Sequence, residues 1–171
     1  MTSRDLSYEA VMARKNEIMK SSMQLDYEDF ISSPIAFDYE RMMTATGYTI
    51  DDIVRIQRET KVGSTPLFEL KNLTKAVRKI SPNGKGARIF VKDEAANASG
   101  SFKARRASIS AFDALKKGYK GMIAATSGNY GAAVASQAAQ RGLKCIIVQE
   151  LYDSRGVGQP EIIEKARACE A

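Results

Sequence analysis

A chain of 171 residues with 44% apolar residues can bury one hydrophobic core, and its lack of any histidine excludes Ser-His-Asp and Cys-His catalysis and most zinc sites. No run of about 18 apolar residues exists to span a membrane, and the start Met1-Thr2-Ser3-Arg4-Asp5-Leu6 lacks an apolar signal region, so the cytoplasm is the expected location. The net charge of +6 would suit an acidic partner, but the basic residues Lys103, Arg105, Arg106, Lys116, Lys117 and Lys120 carry no interleaved aromatics, so a solvated helix face is expected and nucleic-acid binding is not.

Residues 1–60 read as a helical extension. Leu6, Val11, Met12 and Ile18 recur at helical spacing through Ser22, and Ser32-Ser33-Pro34 interrupts the pattern. A short helix is expected from Tyr39 to Thr46, stopping at Gly47. Thr49, with Asp52 three residues on, should cap another that carries Ile50, Ile53, Val54 and Ile56.

From residue 61 the texture changes to strands alternating with helices. Strands are expected at Pro66–Leu70, Arg88–Lys92, Gly121–Thr126 (read as fully buried) and Lys144–Gln149. Helices are expected at Leu73–Ile80, Ser101–Lys117, Tyr130–Arg141 and from Gln159-Pro160-Glu161 onward, with Gly118 and Gly142 as stops. This alternation predicts an α/β fold of right-handed βαβ units on a parallel sheet, covering residues 61–171. So few strands ending on a helix suggest an incomplete catalytic region. Cys145, inside Cys145-Ile146-Ile147-Val148, should pack as a small hydrophobe, and it forms no C-x-x-C pair with Cys169.

Two motifs carry chemistry. Ser99-Gly100-Ser101-Phe102-Lys103 places a lysine at the first turn of a helix, where the macrodipole disfavours the charged amine and so favours attack on an aldehyde. Phe102 is a candidate to pack on an aromatic ring. Thr126-Ser127-Gly128-Asn129-Tyr130-Gly131 follows a strand and opens a helix, the geometry that aims N–H groups at an anion. Alone it would be an ordinary turn with a helix cap. The lysine on the preceding βα unit, at the same end of the sheet, shifts the balance toward a ligand site.

Gly63-Ser64-Thr65-Pro66-Leu67, Val91-Lys92-Asp93-Glu94 running into Ser99–Arg105, and Thr126–Gly131 together resemble the tryptophan-synthase-β-like (fold type II) family of pyridoxal-phosphate enzymes. The resemblance implies a pyridoxal 5'-phosphate cofactor bonded to Lys103 and touched by Asn129 and Phe102. It also implies that Thr126, Ser127, Gly128 and Tyr130 hold the carboxylate of a small amino acid. A narrower likeness, through the extension and Lys92–Gly100, is to a branch of the family that works in ornithine breakdown beside a small α subunit. That branch cleaves 2-amino-4-oxopentanoate with coenzyme A to acetyl-CoA and alanine. A serine or threonine dehydratase, or a threonine-synthase-like lyase, is the alternative within the family. A non-catalytic phosphate- or carboxylate-binding module is the alternative outside it.

One departure qualifies the resemblance. The family's glycine-rich phosphate cradle comes downstream of the asparagine loop, and Gly156 and Gly158 in Ser154-Arg155-Gly156-Val157-Gly158 are too sparse to replace it. These 171 residues alone are therefore expected to bind the cofactor poorly.

Overall fold

The computed structural model describes residues 5–170. It divides into two compact units after Asp52.

In the first unit, α1 (Tyr8–Ala13) is capped by Ser7, whose Oγ accepts from the Ala10 N–H at 3.3 Å. Arg14, with a φ of −99°, separates it from α2 (Lys15–Met23), so the apolar spacing read as one helix is two. The Ser32-Ser33-Pro34 interruption is a hairpin: β1 (Ile31–Ser33) pairs antiparallel with β2 (Ala36–Phe37). Its rings hold it in place. Phe37 lies 4.9 Å from Tyr27, 6.0 Å from the buried Phe30 and 4.9 Å from Tyr39. Helices thus flank one hairpin in this unit. Next, α3 (Tyr39–Ala45) is capped by Asp38 and followed by Gly47 at a φ of 73°. The boundary falls within α4 (Ile50–Glu59), before which Thr49 and Asp52 form the expected reciprocal cap. The Asp52 N–H donates to Thr49 Oγ1 at 3.1 Å, and the Thr49 N–H donates to Asp52 Oδ2 at 3.1 Å.

In the second unit, β3 (Leu67–Glu69) and β4 (Phe90–Lys92) pair antiparallel, with Phe68 opposite Val91. This corrects the all-parallel expectation. Between them, α5 (Lys71–Ile80) returns the chain, and its Thr74 hydroxyl accepts from the Ile89 N–H at 2.9 Å. The βαβ pattern appears beyond them, in α6 (Lys103–Lys116), β5 (Gly121–Thr126), α7 (Asn129–Gln140), β6 (Lys144–Gln149) and α8 (Pro160–Glu170). Strands β5 and β6 run parallel, with Met122 opposite Cys145 and Ala124 opposite Ile147.

The core lies on one face of that pair. Ala107 and Ala111 of α6 meet Ala133, Val134 and Ala138 of α7, all at most 1% exposed, above Met122, Ala124, Cys145 and Ile147. Alanines at this contact let the helix backbones approach closely. The other face is bare: Ile123, Ile146 and Val148 are 71%, 61% and 55% exposed. β5 is therefore not the fully buried strand its sequence suggested. Among the described residues, no helix is long and apolar enough to cross a membrane.

Candidate active site

Lys103 is the first residue of α6, as its motif required. The turn before it is built by Gly100, at a φ of 72°, whose N–H donates to the Asn97 carbonyl at 2.7 Å. Ser101 is buried, and the Arg105 N–H donates to the Phe102 carbonyl at 3.0 Å to start the helix. The Lys103 ammonium stands 4.5 Å from the centre of the Phe102 ring, a cation–π contact. Ser99 Oγ is buried with no hydrogen-bond partner among the described residues.

At the second motif, Thr126 closes β5 with its side chain toward α7. Its hydroxyl oxygen accepts from the Gly128 N–H at 3.0 Å and the Gly131 N–H at 3.2 Å. This changes the expected ring of donors, because two of its N–H groups already serve the turn itself. The N–H groups of Asn129 and Tyr130, the first two residues of α7, have no intrahelical acceptor by geometry and are the ones left for a ligand. Gly128 has a φ of 154° and ψ of −99°, a conformation reserved to glycine. At Gly131, a Cβ would lie 2.5 Å from Thr126 Cγ2, so only glycine lets α7 start this close to the strand.

The two motifs share a cavity of about 480 Å³ lined by Lys103, Arg106, Ala125, Thr126, Ser127, Gly128, Asn129 and Tyr130. The lining holds two cations and no carboxylate, an environment suited to an anion. Arg106 was read only as part of a solvated basic face. Its guanidinium stacks 4.7 Å from the centre of the Tyr130 ring, tying α6 to the α7 turn. Its place three residues after Lys103 on a helix was the available signal. Phe102 stands outside the lining, 56% exposed beneath the Lys103 amine.

Residues that carry the family resemblance, Gly63, Thr65, Lys92, Glu94 and Arg105, meet Asn97 in one hydrogen-bond network, a connection their spacing does not reveal. Arg105 forks onto Glu94, Nε to Oε2 at 2.7 Å and Nη2 to Oε1 at 2.8 Å. Thr65 Oγ1 donates to Glu94 Oε1 at 2.7 Å, and Asn97 Nδ2 donates to Glu94 Oε2 at 3.1 Å. The Gly63 N–H donates to Asn97 Oδ1 at 3.0 Å, and Lys92 Nζ donates to the Thr65 carbonyl. The Arg105 fork first, then the Thr65 and Asn97 donors, hold the Glu94 carboxyl well below its usual range, at about 2, against the opposing effect of burial.

Gly156 and Gly158 lie in a self-contained turn. Asp153 Oδ1 accepts from the Arg155 N–H at 2.9 Å and the Val157 N–H at 3.0 Å, so those donors already serve a carboxylate. The Cys145 thiol is pushed up by burial and, less, by Cys169, which disfavours a thiolate there.

The residues present fit an anionic aldehyde cofactor on chemistry: a primary amine, free N–H donors and a wall without carboxylates share one cavity. Comparison with known proteins agrees. The chain is 65% identical over 169 residues to the 2-amino-4-ketopentanoate thiolase beta subunit of Acetoanaerobium sticklandii, a match covering 99% of this chain and 36% of that protein. It is 62% identical over 168 residues to a beta subunit of the same name from an unidentified prokaryote, covering 98% of this chain and 36% of that one. Over 86 residues, half of the chain and 22% of the relative, it is 40% identical to threonine synthase of Halalkalibacterium halodurans. The chain thus spans about 36% of the length of these two beta subunits. Residues 58–171 match the family model described as pyridoxal-phosphate dependent enzyme, and the chain belongs to that family.

Proposed function

We propose that this chain is part of a pyridoxal-phosphate enzyme that cleaves 2-amino-4-oxopentanoate with coenzyme A to acetyl-CoA and alanine. The observation that carries the proposal is the cavity shared by Lys103 and the α7 turn, in a chain so similar to two thiolase beta subunits. In this reading residues 61–171 belong to the catalytic region, residues 1–60 are an extension, and a small α subunit completes the enzyme. The relatives' name, beta subunit, supports that last point.

In the overall reaction the C3–C4 bond of the substrate breaks. The coenzyme A sulfur joins C4, which leaves as acetyl-CoA, and C3 takes a proton to become the methyl group of alanine. When bound, pyridoxal phosphate supplies an electron sink for charge developing beside the amino-bearing carbon. Lys103 holds the cofactor through its amine and moves the proton at C2. The free N–H groups of Asn129 and Tyr130, with the Ser127 hydroxyl, orient the substrate carboxylate, while Thr126 and Gly128 shape the turn. The Asn129 side chain would help hold the cofactor, and Phe102 would support the Lys103 amine. No cysteine nucleophile is needed, in keeping with a Cys145 thiol that burial keeps protonated.

The test is the full-length enzyme assayed for acetyl-CoA from 2-amino-4-oxopentanoate and coenzyme A. Lys103→Ala should lose at least about a hundredfold in kcat, whereas Cys145→Ser should stay within about threefold. The likeness to threonine synthase over 86 residues favours a second reading, a threonine-synthase-like lyase, with a serine or threonine dehydratase beside it in the same family. Formation of threonine, or release of a 2-oxo acid from serine or threonine, without acetyl-CoA formation, would select it.

A further inference from the structure

Glu94 lies nine residues before Lys103, and Arg105 two residues after it. The chain between them is the turn that carries the lysine, and the Glu94 carboxylate bonds both of its ends. Asn97 donates to Oε2 where the turn begins, and the Arg105 fork covers both oxygens where α6 begins. Asn97 then receives the Gly100 N–H on its carbonyl, which sets the positive-φ step into Ser101. Thr65, from before β3, donates to the same carboxylate and anchors it to a separate part of the unit. One side chain therefore closes residues 94–105 into a ring from which Lys103 projects.

A bidentate guanidinium–carboxylate pair fixes two directions at once and is stronger than neutral hydrogen bonds. Asn97 is 3% exposed, so its bonds face little competition from water. An ordinary surface pair would have a free carboxylate edge, and this one has none. We infer that Glu94 is a positioning residue: through Arg105 and Asn97 it sets the direction in which the Lys103 amine meets its reaction partner. The inference deepens the cofactor reading above and rests on it. It assigns to Glu94 and Arg105 no contact with the cofactor or the substrate.

The test uses the full-length protein, wild type and Glu94→Gln, with free pyridoxal phosphate as the probe. Amide hydrogen exchange of the peptide covering residues 97–103 is measured without the probe. The rate at which borohydride fixes a pyridoxyl group on Lys103 is measured with it, by peptide mass mapping. The expected result is exchange faster by about tenfold in that peptide, with α7 unchanged, and Lys103 labelling slower by about tenfold or more. Arg105→Lys keeps the charge but loses the fork, so it should move both readouts the same way by less. It also serves as the second variant should Glu94→Gln unfold. Faster exchange with unchanged labelling would reduce the ring to a structural brace and overturn the positioning role. Unchanged exchange would overturn the ring itself. A wild-type protein that takes no label on Lys103 would sink the cofactor reading and the positioning role with it, leaving the exchange contrast to decide whether the ring orders the turn.

Discussion

An added Cβ at Gly131 would come within 2.5 Å of Thr126 Cγ2 and 2.9 Å of Ile147 Cγ2, atoms fixed by two paired strands. Neither neighbour is the end of a long flexible chain, so Gly131→Ala should destabilise by about 1–3 kcal/mol. Thr126→Val should do comparable damage for a different reason. It keeps the shape but leaves the Gly128 and Gly131 N–H groups without their shared acceptor, at a cost of about 1–3 kcal/mol. Thr126→Ser should stay close to wild type. Urea unfolding midpoints check all three, and an unaffected Thr126→Val would refute the turn's hydrogen-bond account. Glu94 adds a pH dependence. Its carboxyl is lowered in the folded chain from an ordinary 4.5 to about 2. Its stabilisation is therefore complete above the unfolded value and lost as pH falls through the folded one. Unfolding midpoints of wild type should drop more steeply than those of Glu94→Gln across that interval. At this scale the placement of Lys103 at the start of α6 and of the 126–131 turn between β5 and α7 was legible in the sequence, because each motif is a contiguous run of residues. The Glu94–Arg105 pair was not. Its members are eleven residues apart across a turn whose path depends on a positive-φ glycine.

Where local rules decide an element, the sequence was readable almost to the residue. β5 and β6 have the expected limits, because apolar runs flanked by glycine and charge leave little choice. The Thr49–Asp52 cap formed as its spacing required, so Thr49→Ala should cost about 0.5–2 kcal/mol, read from unfolding of the full chain by circular dichroism. An effect well below that range would mean that tertiary contacts, not the cap, hold the start of α4. Pairing direction was less legible. A strand, a helix and a strand usually make a parallel crossover, yet β3 and β4 are three-residue strands that pair antiparallel around α5. Strands that short commit little apolar surface to a sheet, and hydrogen bonds such as Leu70 N–H to the Ile89 carbonyl, 2.9 Å, set their direction. The β1–β2 hairpin was hidden for a related reason. What holds it is a cluster of Tyr27, Phe30, Phe37 and Tyr39, a tertiary feature with no two-residue period.

Within these 171 residues, about 36% of the length of the two beta subunits they match, the parallel strand pair has one covered face. Parallel sheets are ordinarily buried on both sides. Here Met122, Ala124, Cys145 and Ile147 pack beneath α6 and α7, while Ile123, Ile146 and Val148 face outward. The alternation is regular along both strands, so the outward set is a contiguous apolar stripe, not scattered exposed residues. Such a stripe binds hydrophobic dye and promotes association. The 171-residue chain should therefore bind 8-anilinonaphthalene-1-sulfonate and self-associate with rising concentration. Replacing Ile123, Ile146 and Val148 together by threonine keeps the β-branched shape that suits a strand while removing most of the apolar stripe. That variant should lose most of the dye signal and sediment as a smaller species, with its circular dichroism unchanged. If dye binding and sedimentation stay as in the parent chain, the stripe is not the adhesive surface, and exposed residues elsewhere, such as Leu67 and Phe68 on β3, must be.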